Sequence, residues 1–212
     1  MSDDYSFHVK RKRPEEIYKD VRDYFKGEEL IRYAKSKSIM RIQEKITYRA
    51  IELIEPKKNW LFLDAGAGPG FSSIVLNELG YRVVALDFIP EFLYYYKFNE
   101  INSIIADMCN LPFRDNVFDG LISISALQWI YRNINDNSMR NKLKRLFKSL
   151  EKIFKPNSRL VFQFYPKNDI IIREIGKIIT DNTSFKGNYL IDNPENPVKR
   201  KIFLILSSNK NE

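Results

Sequence analysis

The segment Trp60-Leu61-Phe62-Leu63-Asp64-Ala65-Gly66-Ala67-Gly68-Pro69-Gly70 constrains this chain more than any other. Its apolar start has strand length and the pattern of a strand buried on both faces. It runs straight into a loop with glycine at alternate positions, then into a helical stretch, Phe71 to Leu79, closed by Gly80. Strand, glycine turn and helix make the first half of a crossover between parallel strands. An antiparallel sandwich or a helical bundle has no use for such a unit.

The rest of the chain repeats the theme. Arg82 to Leu86 is a second buried strand, ending at Asp87, and Glu91 to Phe98 is helical. Ser103 to Ala106 is a short third strand ending at Asp107, and Phe118 to Ile124 is a fourth. A basic helix, Met139 to Phe154, is stopped by Pro156. It is followed by strand Arg159 to Tyr165, helix Ile170 to Thr180, and strands Tyr189 to Ile191 and Lys201 to Leu206. Alternation at this spacing predicts an α/β fold with a mostly parallel sheet and helices on both faces. Ahead of it, residues 14–58 read as a helical segment packing on the core. Ile39, Ile42, Ile46, Ala50 and Leu53 form its apolar face, and Pro56 ends it. Residues 1–13 read as a flexible basic tail ending in Lys10-Arg11-Lys12-Arg13, and residues 59–208 as the main domain.

Residue counts remove several function classes. The chain has one cysteine, Cys109, and one histidine, His8. That excludes an internal disulfide and a zinc site of sulfur and imidazole ligands. It also disfavours a Ser-His-Asp or Cys-His nucleophile system, since His8 sits in the polar tail. No apolar run reaches the roughly 20 residues that span a bilayer, so no membrane role is expected. No secretory signal is seen, and the expected location is cytoplasmic. The net charge of +8 is uneven: residues 59–130 carry −5, whereas the flanks carry +4 and +9. An acidic middle has no need of a phosphate ligand, while basic flanks suit a polyanion.

In open α/β sheets, ligands lie at the carboxyl ends of the strands. Asp64, Asp87 and Asp107 end three successive strands there. The loop is not a dinucleotide fingerprint, because Phe71 stands where a third glycine belongs, and no Walker lysine follows. Gly66, Gly68 and Gly70 let the backbone approach a ligand. Asp64 suits an ammonium group, Asp87 the two hydroxyls of a ribose, and Asp107 the exocyclic amine of an adenine. Phe88 and Met108 offer apolar faces to the base. An amine, a ribose and an adenine without a phosphate cradle describe S-adenosylmethionine. Taken singly, each aspartate is also a common turn or cap residue.

This order of glycine loop and acids resembles the class I methyltransferases, with their seven-stranded Rossmann-like sheet and antiparallel last strand. Four further segments narrow the likeness: Arg13-Pro14-Glu15, Ser123-Ile124-Ser125-Ala126-Leu127-Gln128-Trp129, Phe164-Tyr165-Pro166-Lys167-Asn168 and Leu206-Ser207-Ser208. Together they resemble the eukaryotic small-subunit rRNA guanine-7 methyltransferases over about residues 13 to 208. Ala67 and Pro69 depart from the family's usual Cys and Ser, and Pro69 removes one backbone donor. The family's long basic C-terminal tail is absent, which implies a shorter, archaeal-type relative and leaves the acceptor nucleotide open.

The resemblance implies a methyl transfer to guanine nitrogen 7 in small-subunit rRNA. Ser125 would join the cofactor set. Trp129 and Tyr165 would stack on the base, Gln128 and Asn168 would read its edge, and Pro166 would stiffen the turn that aims Tyr165. Phosphate contacts are expected from the basic tail and from Arg140, Lys142, Lys144, Arg145, Lys148 and Lys152, which surround their helix, so that part of the set is ordinary solvated surface. The resemblance also implies a small zinc-binding activator subunit paired with an edge strand, expected at Ser103 to Ala106. Some of Phe92, Tyr94, Tyr95, Tyr96 and Phe98 would add to that interface. Competing readings are a methyltransferase of small molecules or proteins, a ribosome-assembly factor whose binding matters more than its catalysis, and a dehydrogenase, which Phe71 opposes.

Overall fold

The computed structural model describes residues 12–96, 101–133, 135–196 and 198–208. Four helices come first: α1 (Pro14–Ile17), α2 (Val21–Tyr24), α3 (Gly27–Lys35) and α4 (Lys37–Ile54). Then follow β1 (Leu61–Ala65), α5 (Phe71–Glu78), β2 (Arg82–Asp87), a 3-10 turn (Pro90–Tyr95), β3 (Asn102–Ile105) and β4 (Phe118–Ile124). The chain continues through α6 (Leu127–Ile130), α7 (Asn137–Ile153), β5 (Phe154–Phe164), α8 (Asp169–Asn182), β6 (Lys186–Asp192) and β7 (Lys201–Ser207).

The strands make one seven-stranded sheet in the order β3-β2-β1-β4-β5-β7-β6. Strands β1 to β5 run parallel to one another, and β7 alone is antiparallel, to β5 and to β6. This is the expected fold class. The strand order reverses beside β1, which pairs with β2 on one side and β4 on the other. A crevice therefore opens at the carboxyl ends of these strands.

Period-two alternation builds the two core layers. Phe62, Ile122 and Val161 face Ile46, Ala50 and Ile54 of α4 and Leu76 of α5. Leu63, Leu121 and Leu160 face the other way, onto Leu143, Phe147 and Leu150 of α7 and Ile175 of α8. Each such fully buried side chain contributes about 1.5–3 kcal/mol of burial free energy.

Several expected boundaries change. The buried face of α4 runs Ile46, Ala50, Ile54, while Ile42 is 51% exposed. The helix ends at Ile54, on a left-handed Glu55. The stretch expected as a helix from Glu91 is the 3-10 turn, and its far end, Phe98, lies outside the described residues. The third strand begins one residue early, at Asn102. Helix α7 does end ahead of Pro156, but that proline lies inside β5, which starts at Phe154. The pairing with β4 jumps there from Phe118–Phe154 to Gly120–Arg159, and an irregular register is where a strand tolerates proline. Of the basic tail, only Lys12 and Arg13 are described. Among the described residues no helix is long and apolar enough to cross a membrane.

Candidate active site

The loop after β1 turns on glycines in the left-handed region. Gly66 has φ +78°, and a Cβ there would stand 2.5 Å from the Cβ of Ala126, so only hydrogen fits between the two turns. Gly70, φ +90°, caps α5 against the Tyr96 ring, which a Cβ would meet at 2.8 Å. The loop's backbone donors are all taken. Gly66 and Ala67 donate to the Leu86 carbonyl, Gly70 to the Ala67 carbonyl, and Gly68 to the Asp87 carboxylate at 2.7 Å. Pro69 has no N–H. The loop itself therefore turns no backbone donor outward toward a phosphate, in keeping with the missing third glycine of the dinucleotide pattern.

Asp64 is fully buried and does not line the crevice. Its Oδ2 accepts from Ser72 Oγ at 2.6 Å and Ser73 Oγ at 2.5 Å, tying β1 to the first turn of α5. Its Oδ1 has no partner, and burial pushes its pKa up to about 6. The expected direct contact between Asp64 and a ligand's ammonium is therefore corrected: this carboxylate holds the loop from beneath. Gly70 is likewise off the cavity wall, and only Gly66 and Gly68 of the loop line it.

Asp87 does reach the cavity. Its Oδ1 accepts from the Ile89 N–H at 2.8 Å, and burial raises its pKa against the pull of these backbone donors. Asp107 lines the same wall and accepts from the Cys109 N–H at 2.8 Å. Phe88, Met108, Ser125 and Trp129 complete a cavity of about 240 Å³. Its outer wall comes from the N-terminal segment, through Lys19 to Arg22, Phe25 and Tyr33. Aromatic contacts hold that wall down: Phe25 packs edge-on against Phe92 at 5.1 Å and Tyr33 at 5.0 Å, and Tyr24 stacks on Trp129 at 5.8 Å. Arg22 covers the Phe88 ring at 4.8 Å. Two acids, apolar faces and no phosphate cradle fit an adenine nucleoside carrying a cationic sulfonium. Asp87 is the group able to take the ribose hydroxyls, and Asp107, Phe88 and Met108 those beside the base.

A second cavity, of about 400 Å³, lies beyond the ends of β4 and β5. Arg13, Glu15, Gln128, Tyr131, Tyr165, Pro166 and Asn168 are among its walls. Arg13 donates to the Tyr165 carbonyl at 2.6 Å and the Pro166 carbonyl at 3.4 Å, and Glu16 pairs with Lys167 at 3.3 Å. These contacts fasten α1 to the turn after β5. Gln128 Nε2 donates to the Ser125 carbonyl at 2.8 Å, so one short segment lines both cavities.

Two expected roles change here. Trp129 belongs to the first cavity and to the N-terminal aromatic cluster, so it does not face the second cavity with Tyr165. Asn168 uses its side-chain oxygen to cap α8, accepting from Ile171 N–H at 3.1 Å, which leaves only its amide NH₂ for a ligand. Sequence reading missed Glu15, Tyr33, Phe25 and Lys19 to Arg22 as cavity walls. The Arg13-Pro14-Glu15 motif was the only local sign of them.

At the sheet edge, β3 pairs with β2 alone, and Ile105 is 53% exposed. Phe92 and Tyr96 are buried and belong to the interior, whereas Tyr94 is 76% exposed. On α7, Arg140 pairs with Glu174, while Lys142, Arg145, Lys148 and Lys152 are exposed at helical spacing along one face.

Residues 63–162 match the methyltransferase domain family. The chain is 34% identical to the 18S rRNA (guanine(1575)-N(7))-methyltransferase of Saccharomyces cerevisiae, over 92% of this chain and 72% of that protein. It is also 34% identical to the 18S rRNA (guanine-N(7))-methyltransferase of Arabidopsis thaliana, over 92% of this chain and 67% of that protein. Among solved structures, a chain from the complex between the Haloferax volcanii Trm112 methyltransferase activator and a methyltransferase superposes with a TM-score of 0.66. That match is at 14% identity and covers 91% of this chain and 99% of that one. A SAM-dependent methyltransferase from Methanosarcina mazei superposes with a TM-score of 0.61 at 16% identity, over 77% of this chain and 99% of that one. With a class I sheet, a nucleoside-sized cavity at its switch point and this level of identity, the chain belongs to the family of 18S rRNA (guanine-N(7))-methyltransferases, enzymes that use S-adenosylmethionine.

Proposed function

We propose that this protein methylates nitrogen 7 of a guanine in small-subunit rRNA, with a small zinc-binding activator docked on the edge strand β3. The observation that carries the reading is that one short segment puts Ser125, Ala126 and Trp129 on the first cavity and Gln128 and Tyr131 on the second. One suits a sulfonium nucleoside, and the other is large enough for an unstacked base.

When bound, S-adenosylmethionine supplies a methyl group on an electrophilic sulfonium. Guanine nitrogen 7 brings its own lone pair and has no proton to lose, so no side chain need act as a base. The chain's contribution is positioning. Asp87, Gly66 and Gly68 fix the cofactor, with Asp107, Phe88, Met108 and Ser125 around it. Tyr165 lines the acceptor cavity on a turn stiffened by Pro166 and anchored by Arg13, and the Arg13 guanidinium and Lys201 ammonium each lie over its ring at 5.6 Å. Holding the reacting atoms about 3–3.5 Å apart can lower a barrier by roughly 7–11 kcal/mol. The exposed basic face of α7, at Lys142, Arg145, Lys148 and Lys152, suits RNA phosphates.

The activator is proposed from the edge itself. An open parallel strand with exposed Ile105 needs cover, and the Haloferax relative was solved with the Trm112 activator. The test is co-purification from the native cell, followed by methylation of small ribosomal subunits with labelled cofactor and mapping of the modified base. Label found in a small molecule or a protein, and none in RNA, would overturn the reading.

A further inference from the structure

We infer that Glu15 is the specificity determinant of the acceptor cavity, reading the Watson–Crick edge of guanine by accepting hydrogen bonds from N1–H and the N2 amine. This rests on the proposed methylation of guanine and adds the group that selects the base.

Glutamate is almost never fully buried unless it is paired. Glu15 is only 6% exposed, in the first turn of α1, and it lines the second cavity. Among the described residues, the three cations that line this cavity, Arg13, Arg132 and Lys167, have other partners. Arg13 donates to the carbonyls of Tyr165 and Pro166. Arg132 donates to the carbonyls of Trp129, Tyr18 and Lys19. Lys167 pairs with Glu16. Among the described residues no side chain donates to the Glu15 carboxylate, and its own backbone N–H is the donor it has. Burial raises its pKa, with Arg13 and Arg132 pulling the other way across the cavity and Glu16 adding to the rise.

A buried carboxylate without donors is costly unless a ligand brings them. The cavity is base-sized, and the bases differ in what they bring. Guanine presents two adjacent donors, N1–H and N2–H, which match the two oxygens of one carboxylate. Adenine and cytosine present a ring-nitrogen acceptor where guanine has N1–H, and it would repel the charge. Uracil presents one donor between two carbonyls. Nitrogen 7 lies on the opposite edge of the ring, so gripping the Watson–Crick edge leaves its lone pair free.

The experiment uses the enzyme as co-purified with its partner. The substrates are small-subunit RNA fragments with guanosine or inosine at the modified position, inosine differing only by the missing N2 amine. Losing a hydrogen bond to a charged group corresponds to about tenfold to 100-fold. The wild type should therefore prefer guanosine by that factor in kcat/KM. Glu15→Gln should lower kcat/KM on guanosine by at least about tenfold and bring the guanosine preference within about threefold. Its affinity for S-adenosylhomocysteine, measured by calorimetry, should stay within about twofold, which also reports that the variant is folded. Undiminished discrimination in Glu15→Gln, or a wild type that does not distinguish the two bases, would overturn the inference. The wild-type comparison decides even where the variant fails to fold. If 7-methylguanine forms but Glu15 is indifferent, the inference alone fails; if none forms, the functional reading fails with it.

Discussion

Gly66→Ala tests how the cofactor loop is held. The new Cβ would stand 2.5 Å from the Cβ of Ala126, on a residue with φ +78°. The left-handed backbone costs an L-residue about 1–2 kcal/mol, and overpacking a tight contact costs about 1–3 kcal/mol more. Ala126 cannot retreat easily: it lies between Ser125, itself at φ +58°, and Leu127, which is fully buried. The expected loss is therefore about 2–5 kcal/mol, a fall of roughly 4–20 °C in Tm for a chain of this size. Adding Ala126→Gly removes the steric part and leaves the backbone part, so the two substitutions should couple by about 1–3 kcal/mol in a double-mutant cycle. Urea denaturation of the four proteins without ligand measures this. Cofactor affinity should follow the same pattern, because Gly66 and Ala126 both line the first cavity. Additivity within about 0.5 kcal/mol would refute the claim that these two turns are packed to the limit.

Asp87→Asn places an amide NH₂ against one of two backbone N–H donors, from Gly68 and Ile89, and removes the charge facing the cavity. Binding of S-adenosylhomocysteine should weaken by at least about tenfold in calorimetry, and unchanged binding would sink the assigned role. Asp64 has a pKa raised from 3.8 to about 6, so its ionisation works against the fold. Its contribution is fully present below about pH 4 and lost as pH rises through about 6. Asp64→Asn should therefore gain on the wild type by roughly 2–3 kcal/mol between pH 4 and pH 7, and parallel pH–stability curves would contradict this. Arg13→Gln breaks the anchors at the Tyr165 and Pro166 carbonyls. It should lower kcat on RNA by about tenfold to 100-fold while leaving cofactor affinity unchanged, since a misplacement of about 1 Å can cost about 100-fold; a matching fall in cofactor affinity would mean that Arg13 acts elsewhere. Ile105→Lys on the exposed edge should reduce recovery of a co-purified partner without changing monomer stability, and full recovery would move the proposed interface off β3.

Some of this protein is written locally. A strand buried on both faces must be apolar throughout, so Leu61–Phe62–Leu63 announced β1, and the glycine loop behind it announced the crossover and its ligand end. Asp87 and Asp107 fall at strand ends by the same local logic. The chain's neighbours in sequence do not say what lies across a cavity. Trp129 joined Tyr24 and Phe25, more than a hundred residues away, and so left the acceptor side. Asn168 became a helix cap once α8 started at Asp169. Arg13 found its carbonyl partners 152 and 153 residues along the chain, and that closure turned Glu15 from a surface glutamate into a buried one. Pattern fixes which residues can form strand, turn and helix, because those preferences act over a few bonds. Burial and partnership, which decide what a carboxylate can do, depend on which distant segments the folded sheet brings together.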